Sequence, residues 1–333
     1  MEPIAGLRAR LRQSSRWLRF RELGREGWWN AFRRHRVSRK ILATPPVPTR
    51  PTSADPVAPC EVHILIWDRD HLAGLWAAKS FYSASGVDWP LFWHQGGALS
   101  ATAAHPLRFH FPNSKLVTTT EADRAADAAL GAADLGHLRA ARTRAFMLRK
   151  LVDPVLVGRA RHLLLLDSDV LFFGRPVELL DAVAADAPVG LFNRDEADWY
   201  TIARADARGR FGIELPERLN AGLGLVPRAG LDLARADRWL AAAPELLSDP
   251  WLTEQTLQAL FAGASGVEFL PDTYRLSRTR GLTTADGRPL VAKHYVSHPR
   301  PLLFREGMPH LLRSKLLEDL RCRPSPVSAS APG

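Results

Sequence analysis

Residues 162–173 read His-Leu-Leu-Leu-Leu-Asp-Ser-Asp-Val-Leu-Phe-Phe, an apolar run that ends on two carboxylates one residue apart. Four consecutive leucines have no polar face to show to water. They suit a strand of a parallel sheet covered on both sides, and the carboxyl end of such a strand is where open α/β sheets hold ligands. Asp167 and Asp169 at that end can share a hard cation, which makes a metal-bound, phosphate-bearing substrate the first expectation.

The rest of the chain supports an α/β fold. Strand signals fall at 61–67, 90–94, 115–118, 162–167, 189–192, 222–226 and 290–296. Helical periodicity falls at 70–84, 121–133, 138–152, 231–242 and 253–262. This alternation predicts a mostly parallel central sheet with helices on both faces. Before it, residues 44–59 contain six prolines and predict an extended linker. Residues 1–43 form a basic amphipathic arm, with Ile4, Leu7, Leu11 and Leu18 on one helical face and arginines beside it. The domain is expected to span 60–321, followed by a polar, proline-rich and disordered tail at 322–333.

Charge is unevenly placed. Residues 1–50 carry 13 Lys or Arg against 3 Glu, which accounts for the whole net charge of +10, while 51–333 balance at 32 bases and 32 acids. The domain therefore predicts no nucleic-acid partner, and the basic segment at 1–40 is a candidate for an anionic membrane surface, with packing on the domain or on a partner as the alternative. Two cysteines, Cys60 and Cys322, make no disulfide framework or zinc cluster. The N-terminus never reaches a signal-peptide core, so the expected location is cytoplasmic, peripheral to the membrane at most.

Several polar groups join the aspartate pair. His294 or His298, in Lys293-His294-Tyr295-Val296-Ser297-His298-Pro299-Arg300-Pro301, offers a third metal ligand, and Arg300 a partner for a diphosphate. Asn220-Ala221-Gly222-Leu223-Gly224 combines a side-chain amide with two glycines that allow close approach of a ligand or serve a bulge. Glu254 and Gln255 open a helix, where they can face a sugar or simply cap it. The loop 193–198, with Asp195, Glu196 and Asp198, follows a strand and is expected to face the same cleft.

In order, the Asp-x-Asp strand end, Asn-Ala-Gly, Glu-Gln and a late His-Tyr element resemble GT-A-fold glycosyltransferases, particularly the retaining glycosyltransferase family 8, over residues 60 to 302. Against that family's terminal H-(F/Y)-x-G-x-x-K-P-W, this chain keeps the His, the aromatic residue, a base and the Pro. It has Ser297, Arg300 and Leu302 at the Gly, Lys and Trp positions, which marks a divergent member. The resemblance implies that Asp167, Asp169 and His294 hold Mn²⁺ or Mg²⁺, and that Lys150 and Arg300 face a nucleotide-sugar donor. It further implies that Asp68 and Asp70 grip the nucleoside, that Asn220 and Gly222 line the sugar site, and that Glu254 and Gln255 lie beside the anomeric carbon or a hydroxyl acceptor. If the reaction inverts, Asp195, Glu196, Asp198 or Glu254 supplies the base.

Rival readings fit less of the chain. A haloacid-dehalogenase-type phosphatase needs its Asp-x-Asp near the domain start and a downstream acidic pair. A nucleotidyltransferase needs a glycine-rich loop after its first strand, where this chain has Asp68-Arg69-Asp70. A non-catalytic, membrane-docked scaffold draws on His94-Gln95-Gly96-Gly97, which lacks an acid after the second strand.

Overall fold

A computed structural model of the protein describes residues 28–296, 300–314 and 317. The amphipathic face at 4–18, His298 and the tail at 322–333 lie outside the described residues.

Among the described residues, ten strands form two sheets. The larger has the order β3-β2-β1-β4-β7-β6-β8, with β1 at Cys60–Ile66, β2 at Leu91–Gln95, β3 at Lys115–Val117, β4 at His162–Leu166, β6 at Gly190–Arg194, β7 at Leu219–Pro227 and β8 at Val267–Phe269. Only β7 runs against its neighbours, so the sheet is mostly parallel, as the alternation of elements predicts. A smaller sheet, β5-β10-β9, joins Val170–Phe172, Ala292–His294 and Tyr274–Leu276.

The leucine run explains the layering. Leu164 and Leu166 enter one hydrophobic core, whereas Leu163 and Leu165 enter the core on the opposite face. Alternate side chains of a strand point to opposite sides, so both faces of β4 need apolar residues and helices to cover them.

Sequence patterning misses or misplaces several elements. It contains no clear sign of the helix Ala101–His110, which starts on a cap made by Ser100 and carries an internal proline, nor of the second sheet as such. The single helix expected at 138–152 is two, Gly136–Arg144 and Arg149–Val157, separated by Ala145 in a non-helical conformation and a short turn. Tertiary bonding stabilises this break. Arg142 is buried and donates to both carboxylate oxygens of Asp153, at 2.6 and 3.0 Å, and to Asp123 at 2.7 Å.

The folded unit also begins earlier than Cys60. Residues 44–59 form no helix or strand, in keeping with their prolines, and turn at 51–54, where Ala54 N–H donates to Pro51 O; they are tied down and do not form a free linker. Val47 N–H donates to His110 O, Asn113 Nδ2 donates to Thr49 O, and the buried Lys79 donates to Thr44 and Pro45. Ile41 and Val47 are part of the core, and Trp76 Nε1–H donates to Ser38 O at 2.9 Å.

Removing Arg142 leaves Asp153 buried without its cation, so Arg142→Ala is expected to lower unfolding stability by about 3–5 kcal/mol in chemical denaturation. A loss below about 1 kcal/mol would show that the helix break does not depend on this pair.

Candidate metal and donor site

The Asp167-Ser168-Asp169 turn is the junction between the two sheets. It leaves β4 of the large sheet and enters β5 of the small one, and it is held by Asp167 N–H to Gly222 O at 2.8 Å and Tyr295 N–H to Asp169 O at 3.0 Å. The antiparallel pairing of β5 with β10 places His294 opposite Val170 and so beside Asp169, although 124 residues separate the two in sequence. His294 Nε2 lies 3.2 Å from Asp169 Oδ1 and 3.7 Å from Asp167 Oδ2.

A chain of hydrogen bonds fixes the histidine. Asn220 Nδ2 donates to Asp195 Oδ2 at 2.7 Å, which turns Asn220 Oδ1 toward Gly222 N–H at 3.0 Å and His294 Nδ1 at 2.8 Å. The amide oxygen accepts only, so Nδ1 carries a proton and Nε2 is the nitrogen turned toward the carboxylates. Gly222 makes room for the ring, because a Cβ there would fall 2.1 Å from His294 Cε1. Both roles open to Asn220-Ala221-Gly222 are realised: the pairing of β6 with β7 slips here, from Phe192 opposite Gly224 to Asn193 opposite Asn220, and what approaches the glycine closely is a side chain.

These residues fit a hard divalent cation. One ligand atom from each of Asp167, Asp169 and His294 lies within 4.8 Å of the others. Asp169 Oδ1 is buried and has no hydrogen-bond partner among the described residues, and His294 Nε2 faces it at 3.2 Å. A buried acceptor without a donor costs free energy, which a shared cation removes. Two carboxylate oxygens and one imidazole leave coordination positions for water and phosphate, as Mn²⁺ and Mg²⁺ favour.

Two cations balance the carboxylates. Lys150 is buried and contacts Asp167 Oδ1 at 2.7 Å, Ala221 O at 2.6 Å and Glu254 Oε1 at 3.8 Å. Burial pushes its ammonium down, but the carboxylates of Asp167 and Glu254 outweigh that and hold it above its ordinary value. Arg300 adopts φ +52° and spans Asp169 Oδ2 at 2.6 Å and Asp70 Oδ1 at 3.2 Å. Burial alone would raise Asp169; Arg300 and His294 reverse this and hold its carboxyl well below the usual range.

The structure separates the remaining sequence candidates. Asp70 joins the cluster through Arg300, whereas Asp68 accepts Ser100 N–H at 2.8 Å. Glu254 lies behind Lys150 with 2% of its surface exposed and accepts from Gln258, so it does not face an open cleft. Burial pushes its carboxyl up to about 7, partly offset by Lys150. Gln255 bridges the backbone, accepting Ala221 N–H at 3.2 Å and donating to Trp199 O at 3.1 Å. Asp198 is exposed and accepts Arg218 N–H at 2.6 Å, which pins the loop. Asp195 is the loop acid that reaches the site. Its only sequence signal was its place directly after a strand.

Aromatic rings edge the same end of the sheet. Trp67 follows β1, Phe146 meets it edge-on at 6.0 Å, and Trp251 meets Phe146 at 4.7 Å. The glycine at 96 accommodates Trp67, since a Cβ there would lie 2.2 Å from the indole. This gives the acid-free loop after β2 a steric reason.

Gly222→Ala is expected to push the His294 ring off its position and weaken Mn²⁺ binding by roughly 10–100-fold in calorimetric titration, with the fold retained. Unchanged affinity would mean that His294 is not a ligand. Glu254 gives a pH prediction. Its carboxyl titrates near 4.5 when unfolded and near 7 when folded, so the native state holds the proton more tightly. Its contribution is fully present below pH 4.5 and is lost as pH rises through 7. Glu254→Gln should flatten that part of a stability–pH profile, and an unaltered slope would assign it to other groups.

No protein-family profile and no curated protein sequence matches this chain. Solved structures give weak likenesses. Mouse xyloside xylosyltransferase 1 is 12% identical, with a TM-score of 0.47 over 70% of this chain and 96% of that one. The galactosyltransferase LgtC, in complex with donor and acceptor sugar analogues, is 14% identical, with 0.46 over 79% and 97%. The Mn/GDP form of core-mannan synthase A from Aspergillus fumigatus is 11% identical, with 0.42 over 81% and 87%. At these values the likenesses carry no weight for the chemistry, which is read from this chain's own residues.

Proposed function

We propose that the protein is a metal-dependent GT-A glycosyltransferase that moves a sugar from a nucleotide-sugar donor, a UDP-sugar first, to a hydroxyl acceptor in surface or secreted glycan synthesis. The observation that carries this reading is the meeting of Asp167, Asp169 and His294 at the carboxyl end of a mostly parallel sheet, with Lys150 and Arg300 against the same acids. Retention at the anomeric carbon and membership of family 8 rest on the motif resemblance. A cytoplasmic location is part of the same proposal and rests on the sparse cysteines.

Asp167, Asp169 and His294 would hold the cation, which when bound supplies Lewis acidity to the diphosphate of the donor. The chain's own residues do the rest. Asp195 and Asn220 keep a proton on His294 Nδ1 and so turn Nε2 toward the carboxylates, where it would meet the cation. Lys150, fixed by Ala221 O, keeps positive charge beside Asp167 without reorganisation, which is where negative charge on a departing nucleoside diphosphate needs it. Arg300 holds Asp169 and Asp70 together and can exchange one of them for a phosphate oxygen. Asp195 is half-buried and borders Asn220, so it is the carboxylate best placed to meet the sugar, whereas Glu254 acts through Lys150.

Binding of UDP or GDP with Mn²⁺ is expected to stabilise the native protein, by about 2.7 kcal/mol when ligand is a hundredfold above Kd, and Asp169→Asn should abolish the shift in thermal unfolding. Absence of any shift across the nucleoside diphosphates would overturn the transferase reading.

A further inference from the structure

Residues 28–43 contain five Lys or Arg and no acid. Between residues 32 and 40 the exposed side chains are Phe32, Arg33, His35, Arg36, Arg39 and Lys40; every one is a base, a histidine or the aromatic ring. Residues 32, 36, 39 and 40 follow helical spacing and fall on one side of the helix Trp28–Ser38 and the turn Arg39–Ala43 that continues it. The opposite side is fixed. Ser38 and Ile41 are buried, Ser38 O accepts from Trp76, and Arg34 lies 5.8 Å over the Phe304 ring. The basic side is therefore held outward by packing.

The patch continues onto a second element. The helix Met308–Arg313 packs beside Trp28–Ser38 and exposes Leu312 and Arg313. Phe32 is 59% exposed and Leu312 42%, two large apolar side chains among bases. Nearby Glu306 is engaged by Lys293, Tyr295 and Gly281 N–H and does not neutralise the patch.

We propose that this face docks the protein on an anionic lipid bilayer. The bases complement headgroup phosphates, and Phe32 and Leu312 have an apolar phase to enter, which a nucleic-acid backbone does not offer. The sequence leading into the helix carries seven more arginines among leucines and tryptophan, in the same sense. This inference does not depend on the transferase reading.

The test is sedimentation of the full chain with phosphatidylcholine vesicles, with and without phosphatidylglycerol. Binding is expected only with the anionic lipid and is expected to fall as salt rises. At about fivefold for each base near an anionic surface, replacing Arg33, Arg36, Arg39 and Lys40 together by Ser should weaken binding by several hundred-fold, and Lys at all four positions should restore it. Serine at Arg8, Arg10, Arg12 and Arg16 should leave much of the binding in place. The proposal is overturned if the 33–40 serine variant binds as well as the parent. It is also overturned if only the 8–16 set matters, or if the protein binds duplex DNA and not anionic vesicles.

Discussion

Four carboxylates, Asp70, Asp167, Asp169 and Glu254, converge on a largely buried volume at the end of β4, and their mutual repulsion is the constraint that organises the residues around them. Two cations meet that constraint in the protein itself. Lys150 joins Asp167 to Glu254, and Arg300 joins Asp169 to Asp70. Asp169 Oδ1 takes a hydrogen bond from neither of them and remains without a donor among the described residues. The acceptor left unmet is thus the one that faces His294 Nε2. A site that is incomplete at one atom has a different character from an exposed acidic patch, where water satisfies every oxygen.

The supporting architecture follows from the same requirement for fixed geometry. Asp167 is held by the backbone of β7, Asp169 by that of Tyr295, and His294 by a relay through Asn220 to Asp195. The glycine at 222 has no side chain because the imidazole occupies its Cβ space. The C-terminal segment is anchored in turn by Lys293, which donates to Glu306, Thr279 O and Gly281 O.

Much of this was legible in the sequence where the determinant is local. Four leucines before Asp167 specify a doubly buried strand, and the two aspartates specify a turn that can chelate. Asn220, Gly222, Lys150, His294 and Arg300 meet there as their order along the chain suggests. What was not legible depends on pairing between distant segments. The small sheet exists because β10 finds β5, and nothing local in three-residue strands announces that. The helix break at Ala145 is set by Arg142 reaching Asp153. Glu254 carries the signature of a site residue, yet the packing of its helix turns it behind Lys150, and Asp198 spends its carboxylate on the Arg218 amide.

The position of the Asp-Ser-Asp turn between two sheets has a mechanical consequence. Asp167 moves with β4 and β7, while Asp169 and His294 move with β5 and β10. The spacing of the three candidate ligands therefore depends on how the two sheets are set against each other, and Phe172 of β5 is braced in the core by the ring of Phe81. A change of volume at Phe81, which holds no ligand atom, would tune the grip on a cation much as a shim sets the gap of a vice.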